Sequence, residues 1–361
     1  MPFDPIALSR PRAAGTAREG DRDSDREVGI WLLGVALMVL IMVALGGATR
    51  LTGSGLSIME WRPLTGWFPP FSEAEWQRLF DLYRTIPQYA AVNAGMDLAG
   101  FKEIYWLEYL HRLWGKLIGV AFLGGLVALA LAGKVRRALM PRLLLLFALG
   151  GLQGFLGWFM VASGFFPHRT AVSPYRLVIH LGMAFLIFAL LLWFALGLLR
   201  PPAPTAPRRL RRGVLTTGAL AILTMLAGGF VAGIRAGFDY NTFPLMDGRL
   251  VPAGYGALEP WVLNLFESIP AVQFNHRLLA TLTLAAAVWL AALAWRERAT
   301  PAGRAALLLA AVVAAQYALG VVTLLHVVPV GLGTLHQTVA VLVLAAFVAA
   351  LDRLRGRSAK A

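Results

Sequence analysis

The stretch GIWLLGVALMVLIMVALGG, residues 29–47, decides the fold of this chain. It is an apolar run without a charged residue, and its nineteen residues are close to the length that a helix needs to cross the hydrocarbon core of a bilayer. Seven further apolar runs of similar length and few charges lie at 111–132, 143–163, 175–199, 214–233, 276–295, 305–326 and 332–351. The sequence therefore predicts an all-α polytopic membrane protein with eight transmembrane helices.

The composition agrees with a membrane protein and excludes several other classes. Of the 361 residues, 58% are hydrophobic and only 14% are charged, whereas soluble domains carry roughly 25% charged residues. The net charge of +14 could indicate nucleic-acid binding, but the basic residues lie in short segments between apolar runs, so no nucleic-acid partner is expected. Because the chain has no cysteine, disulfides, thiolate metal sites and thiol catalysis are excluded. Any metal or cofactor must be held by histidine, carboxylate or methionine.

The distribution of Lys and Arg predicts the orientation in the membrane. Most basic residues lie at the two chain ends and in alternate connecting segments, at 1–28, 134–142, 200–212, 296–304 and 353–360. Residues 1–28 are polar and lack the apolar segment and cleavage site of a signal peptide, so they are predicted to be a disordered cytoplasmic tail. Both termini, including the tail at 352–361, are expected in the cytoplasm, with the chain in a bacterial inner membrane.

A proline-rich basic linker, RPPAPTAPRRLRR (Arg200–Arg212), divides the chain into two similar halves, 29–199 and 213–351. Landmarks recur in the same order at nearly constant offset. They are LGGATR (45–50) and AGGFVAGIR (227–235), HRL at 111–113 and 276–278, QGFLG (153–157) and QYALG (316–320), and a later histidine in each half. The pattern predicts a tandem repeat of two four-helix bundles.

Four of the six histidines follow this repeat and are candidate ligands: His111, His180, His276 and His336. Each is predicted within about two turns of the outer end of its span, at ~1.5 Å per residue, so that each half holds two imidazoles in one layer. Two neutral imidazoles from facing helices can coordinate one haem iron. A single histidine at a helix end more often only hydrogen-bonds there, but four in register favour ligation, because polar groups inside a membrane are costly. His168 and His326 lack counterparts and are predicted to be a loop residue and a span-end residue.

The two halves differ three residues before the first histidine of each pair. Glu108 precedes His111 in EYLHR, whereas QFNHR has Gln273 at the same place. An i, i+3 spacing puts Glu108 and His111 on one helix face. A carboxylate there can move protons or stabilise positive charge, while an amide can only hydrogen-bond. The alternative makes Glu108 an interfacial charge paired with Arg112 or Lys116. The difference indicates that the first half reacts and the second half holds a permanent cofactor.

The outer segment from about residue 48 to residue 107 is too polar to span a membrane and too aromatic for a plain linker. In this segment and around the histidines the chain closely resembles the haem A synthases, from about Gly29 to Leu351. The motifs are GGATRLTGSGLSIMEWRPLTGWFPP (Gly46–Pro70), FKEIYWLEYLHRLWG (Phe101–Gly115), LQGFLGWFMVASG (Leu152–Gly164), SPYRLVIHLGMA (Ser173–Ala184), FDYNTFPLMDG (Phe238–Gly248), FNHRLLA (Phe274–Ala280) and GTLHQTVA (Gly333–Ala340). Motifs of this length in this order are specific.

The resemblance implies an oxidoreductase that converts haem O into haem A for cytochrome c oxidase. One ring methyl group would be oxidised to a formyl group through successive hydroxylations. The resemblance places the iron of the substrate haem O between His111 and His180, with Glu108 as a catalytic acid–base or cation-stabilising group. It assigns His276 and His336 to the iron of a resident haem b, the cofactor.

The same resemblance implies the partners. They are the haem O synthase (a farnesyl transferase), a ferredoxin-like or other electron donor, assembly factors of cytochrome c oxidase and the lipid bilayer, while assembly into a homo-oligomer is left open. Some bacterial members of the family carry cysteine pairs on the outer face, and this chain does not. It therefore resembles the cysteine-free branch of proteobacteria and mitochondria, and a mechanism with a thiol relay is excluded.

Two other functions compete with a synthase. A di-haem cytochrome b that only carries electrons accounts for the four histidines, but not for the Glu108–Gln273 difference or the long outer segment. A transporter accounts for the repeat, but transporter sites lie near the bilayer midplane. The histidines are predicted near the outer face, and the spans lack internal Asp or Glu.

Overall fold

The computed structural model of the protein describes residues 19–201 and 204–355. Within those ranges it contains ten α-helices and no β-strand, and eight of the helices are long and apolar enough to cross a membrane. The helices are α1 (Glu19–Leu51), α2 (Glu73–Tyr83), α3 (Pro87–Val92), α4 (Leu98–Leu131), α5 (Met140–Ala162), α6 (Pro174–Leu199), α7 (Arg208–Gly233), α8 (Ile269–Arg296), α9 (Pro301–Leu325) and α10 (Val330–Arg353). The predicted all-α polytopic fold with eight spans is confirmed.

The first helix begins earlier than its apolar run. Residues 19–28 are helical, so the predicted disorder is wrong for this part of the tail, while residues 1–18 lie outside the described residues. The extension is held by charge, because Glu27 pairs with Lys134 and Asp25 pairs with Arg136 at 2.9 Å. These two basic residues lie in the turn between α4 and α5. We call this end of the molecule the basic end.

The linker between the halves is shorter than predicted. Helix α7 begins at Arg208, so residues 208–212 are helical, and residues 202 and 203 lie outside the described part of the chain. At the same basic end α10 continues to Arg353, and Asp352 pairs with Arg200 at 3.6 Å. The second predicted tail therefore starts as helix, and residues 356–361 lie outside the described residues.

Helix α4 begins thirteen residues before its predicted span. Asp97 caps it, since its carboxylate accepts a hydrogen bond from the N–H of Gly100 at 2.8 Å. His111 consequently lies more than three turns from the start of its helix, and the predicted two-turn placement is wrong for this histidine. The other three candidate ligands lie within about two turns of their helix starts.

The segment that precedes α4 is a folded unit rather than an irregular loop. Its helix α2 places Trp76, Phe80 and Tyr83 against Phe101 and Tyr105 of α4, in a buried aromatic cluster. Burial of large rings on an amphipathic helix is a sufficient reason for the segment to fold against α4. We call residues 52–97 the outer cap.

Two rings of four contacting helices can be traced among the spanning helices, and we call them the first and second bundle. In the first bundle α1, α4, α5 and α6 pack in a ring, and in the second bundle α7, α8, α9 and α10 do so. The bundles touch where α1 meets α10 and where α6 meets α7 and α10, and one apolar core runs through both. In each ring the two histidine-bearing helices lie diagonally across from one another, which leaves the centre of the bundle between their side chains.

The two ends of the bundle should lie on opposite sides of the membrane. We expect topology reporters fused after Gly133, at Pro204 or after Arg353 to report the cytoplasm, because the basic segments lie at that end. Reporters fused at Glu73 or Asp247 should report the opposite side. A signal from the outer side at Pro204 would contradict the orientation of both bundles.

Candidate functional site

Each candidate histidine ring lies directly against a glycine of a neighbouring helix. A Cβ atom added to that glycine would come within 2.8–3.1 Å of the Cε1 atom of the ring, so any larger residue would displace the imidazole. The pairs are His111 with Gly46 of α1, His180 with Gly157 of α5, His276 with Gly228 of α7, and His336 with Gly320 of α9. The arrangement of rings and glycines is the same in the two bundles.

A glutamine fixes the second histidine-bearing helix of each bundle. The side-chain amide of Gln153 donates to the backbone carbonyl of His180 at 3.1 Å. In the second bundle Gln316 donates to the carbonyl of His336 at 2.9 Å. Both bonds join adjacent helices at the level of a candidate ligand and so restrict how the histidine backbone can move.

The first histidine pair opens on a large cavity. His111 and His180 both line a space of about 1230 Å³ inside the first bundle and beneath the outer cap, which exceeds the usual 300–1,000 Å³ of a ligand site. The Nδ1 atoms of both rings are buried without a hydrogen-bond partner. The two rings are also close enough to interact electrostatically. The two histidines thus offer a pair of ring nitrogens at the wall of a mostly apolar chamber that also contains charged side chains.

The second pair consists of one imidazole on α8 and one on α10. His276 and His336 interact electrostatically across the second bundle. Nδ1 of His276 lies 3.1 Å from the carbonyl oxygen of Thr224, and such a bond fixes the tautomer that leaves Nε2 free to bind a metal. Nδ1 of His336 is buried without a partner. Within the described ranges no cluster of three or more His, Asp or Glu could hold a bare metal ion. A macrocycle that supplies its own four nitrogens needs only two axial ligands, and the two rings fit that need.

Glu108 is buried and held by contacts from both α4 and the outer cap. Its side chain is 3% exposed. One carboxylate oxygen accepts hydrogen bonds from the hydroxyl of Ser57 at 2.8 Å and from the N–H of Ile58 at 2.9 Å. The other oxygen accepts from the guanidinium of Arg112 at 2.7 and 2.9 Å. The ion pair with Arg112 considered from the sequence is therefore present, whereas Lys116 donates to the carbonyl of Gly66 instead. Glu108 also lines the cavity.

Gln273 has the same position in the second bundle, but it donates hydrogen bonds to its outer segment where Glu108 accepts them. Its amide N–H group donates to the carbonyls of Ala236 and Asp239 at 2.7 and 2.6 Å. Its oxygen accepts from Arg277 at 3.2 Å. An acceptor-only carboxylate matches the donors of the outer cap, while an amide matches the carbonyls of the second outer segment. The Glu–Gln difference thus has a structural explanation, and it does not by itself identify the reacting half.

Two arginines of the cavity wall were not among the candidates from the sequence. Arg50 of α1 and Arg235, which follows α7, come from different bundles and lie close enough for their charges to interact. In the described part of the chain neither forms an ion pair with a carboxylate. The signal was present in the sequence, because these arginines close the LGGATR and AGIR motifs that mark the repeat. Two adjacent cations without a counter-charge fit an anionic ligand.

The remaining histidines lie away from both pairs. His168 is an exposed residue of the loop between α5 and α6, with a φ of 65°. His326 is the exposed C-cap residue of α9, where its Nδ1 atom lies 2.8 Å from the carbonyl oxygen of Val322. Both lie where the sequence predicted a loop residue and a span-end residue.

The fold and the site define a class, a polytopic membrane protein with paired histidines across helical bundles. A profile of the COX15-CtaA family, described as cytochrome oxidase assembly protein, matches residues 29–348. A protein named "Heme A synthase" from Granulibacter bethesdensis is 56% identical over 91% of this chain and 87% of its own length. Proteins of the same name from Parvibaculum lavamentivorans and Rhodospirillum centenum are each 51% identical, over 87% and 97% of this chain and 90% and 93% of their own lengths. The chain belongs to the haem A synthase family.

The Glu108–Arg112 pair should stabilise the attachment of the outer cap. Arg112→Ala leaves a buried carboxylate without its cation and also removes bonds to the carbonyls of Ile58 and Glu60. We expect a loss of about 2–3 kcal/mol in the free energy of unfolding, seen as a lower Tm in detergent. Limited proteolysis within residues 52–97 should become faster.

Arg78→Ala is the matched control for this variant. Arg78 pairs with Glu60 and Glu75 on the exposed face of the cap, and its hydrogen bonds hold the pKa of Glu60 below the ordinary value. Exposed pairs contribute roughly 0–1 kcal/mol, so its Tm should change little. Equal losses in the two variants would contradict the assigned role of the Glu108–Arg112 pair.

Proposed function

We propose that this protein oxidises a ring methyl group of haem O to a formyl group, through successive hydroxylations, and so makes haem A for cytochrome c oxidase. The observation that carries the proposal is the cavity in the first bundle, where two histidines with unpaired nitrogens adjoin a chamber large enough for a porphyrin. The family membership supports an enzyme of this kind.

In this proposal the first bundle binds the substrate. His111 and His180 would hold the iron of haem O between them, since their helices lie across the bundle from each other. Arg50 and Arg235 bind the propionate groups, which are the anionic part of a haem, at the junction of the two bundles. The apolar walls and the outer cap exclude water from the porphyrin, which favours oxidation of the intended methyl group over side reactions.

The second bundle binds a resident haem b in the proposal. His276 and His336 would hold its iron, and the carbonyl of Thr224 would fix the tautomer of His276. A bound haem b supplies one-electron transfer. The glycines at positions 228 and 320 allow the neighbouring helices to approach the imidazoles closely and hold the rings in place.

Glu108 would contribute a negative charge at the wall of the substrate cavity. Its two oxygens accept hydrogen bonds from the Arg112 guanidinium and from two donors of the outer cap. An ionised group can stabilise positive charge that develops on the substrate and can accept a proton. Among these roles the contacts favour charge stabilisation, because all its bonds come from donors.

The same proposal includes the repeat, the membrane orientation and the partners of the protein. The two halves would be tandem repeats, with both termini in the cytoplasm and the chain in a bacterial inner membrane. The substrate would come from the haem O synthase, electrons would pass through a ferredoxin-like or other carrier, and the product would go to oxidase assembly factors. A di-haem cytochrome b is the second candidate, since the Glu–Gln difference is explained by hydrogen bonding alone.

The first test concerns the resident haem. His276→Ala or His336→Ala should each remove most low-spin haem b from the purified protein, because each deletes one of two axial ligands. His168→Ala is the control and should keep the wild-type haem content, since His168 lies in an exposed loop. Loss of haem from His168→Ala with retention in His336→Ala would refute the assigned ligands. The readout is the reduced-minus-oxidised absorbance spectrum.

The second test concerns the reaction. Cells that co-express the wild-type protein with a haem O synthase should accumulate haem A, detected by chromatography of extracted haems. Glu108→Gln is nearly isosteric and removes the charge, so haem A output should fall by about a hundredfold while haem O or a hydroxylated intermediate accumulates. Haem b should be retained.

Arg78→Ala, on the exposed face of the outer cap, is the control and should leave the product pattern unchanged. Normal haem A output from Glu108→Gln at equal protein level would exclude a role for this carboxylate in the reaction. If the wild-type protein yields haem B alone, the cytochrome b function is correct instead.

A further inference from the structure

The two bundles differ most in the contact between their second and third spanning helices. In the second bundle α8 and α9 pack closely along their length, whereas α4 and α5 of the first bundle touch at few positions. Tyr317 of α9 reaches across to Thr281 of α8, with 3.3 Å between the hydroxyl oxygens. Counting from the QGFLG and QYALG motifs, the residue at the place of Tyr317 in α5 is Gly154.

Glycines leave the space between α4 and α5 open. A Cβ atom added at Gly119 of α4, or at Gly150, Gly151 or Gly154 of α5, would meet nothing within 4 Å. These glycines therefore do not serve close helix packing, unlike those that contact the histidines. All four line the cavity that contains His111 and His180. At the equivalent places the second bundle has larger residues: Leu284, Val313, Ala314 and Tyr317.

The open space continues from the histidines into the apolar interior. The cavity wall extends along α4 from His111 to Phe122, which is about 16 Å at 1.5 Å per residue. At that depth it is lined by apolar side chains such as Ile118, Leu146 and Phe147. His111 and His180, whose buried Nδ1 atoms have no hydrogen-bond partner, lie between this apolar part of the cavity and the part beneath the outer cap. The apolar extension can accommodate a long apolar chain attached to a group that the two histidines bind.

We propose that the glycine-lined gap between α4 and α5 is the binding subsite for the prenyl tail of haem O, and that the substrate enters the first bundle through it sideways from the bilayer. This inference rests on the proposed function. Haem O carries a long farnesyl-derived chain where haem b carries only a vinyl group. The gap is open in the bundle proposed for haem O and closed by Tyr317 in the bundle proposed for haem b. The presence or absence of the gap thus matches the presence or absence of the tail.

The test fills the gap and compares two haems that differ in the tail. Gly119→Leu and Gly154→Tyr place side chains in the gap, and the second reproduces the closure of the second bundle. Both replace glycine in a helix by residues of higher helix propensity, so folding should not suffer. Gly124→Leu is the matched control on α4, since its Cβ atom also meets nothing within 4 Å but the residue does not line the cavity.

Purified proteins that retain haem b are titrated with haem O and, separately, with haem B, and binding is followed by absorbance. The wild-type protein and Gly124→Leu should bind haem O more tightly than haem B. Gly119→Leu and Gly154→Tyr should bind haem O about tenfold more weakly than wild type, equivalent to ~1.4 kcal/mol. Their affinity for haem B should stay within about twofold of wild type.

Three other results would contradict the inference, and each would point to a different explanation. Unchanged haem O binding in both gap variants would mean that the gap holds membrane lipid and not the tail. Equal losses for haem O and haem B would mean that the variants damage the porphyrin site in general. If the wild-type protein neither binds haem O nor yields haem A in co-expressing cells, the proposed function itself fails and the tail subsite fails with it.

Discussion

The contact between each histidine ring and a glycine of the next helix is the constraint on which the site depends. Helices in a membrane associate through close packing, because the surrounding lipid is as apolar as their side chains. An imidazole is a wide, polar group to place at such an interface. The glycine at positions 46, 157, 228 or 320 makes room for it without forcing the helices apart. The four rings are therefore held by backbone spacing, and each bundle is built around a pair of them.

The outer segments are attached to the two bundles by equivalent sets of hydrogen bonds. In the first bundle Arg112 donates to carbonyls of the outer cap while Glu108 accepts from its donors. In the second bundle Arg277 donates to the carbonyl of Thr242 and Gln273 donates to Ala236 and Asp239. The arginine is common to both halves, and the residue four positions earlier has the polarity that its own segment requires. Glu108 thus both holds the outer cap and lines the cavity.

The two bundles differ in how closely their second and third spanning helices pack, and the proposed function gives this difference a reason. A cofactor that stays in place benefits from closely packed helices such as α8 and α9, because packing holds it and excludes water. A substrate must enter and its product must leave. A bundle that binds a substrate therefore needs two neighbouring helices that are separated over part of their length. The few contacts between α4 and α5 provide that separation, while α1 and α6 keep the first bundle attached to the second.

The sequence by itself determined the all-α fold with eight spans, since nineteen or more apolar residues in a run leave a helix as the only way to satisfy the backbone in lipid. It also singled out His111, His180, His276 and His336, because they recur in register, and the motifs around them gave the family. It did not reveal the helical start at Glu19 or the early start of α4, because ion pairs and aromatic packing with distant segments stabilise those turns. Only the tertiary structure brought Arg50 and Arg235 together, paired Glu108 with the outer cap and separated α4 from α5. These features join residues that are far apart in the chain, and helical periodicity carries no information about which faces will meet.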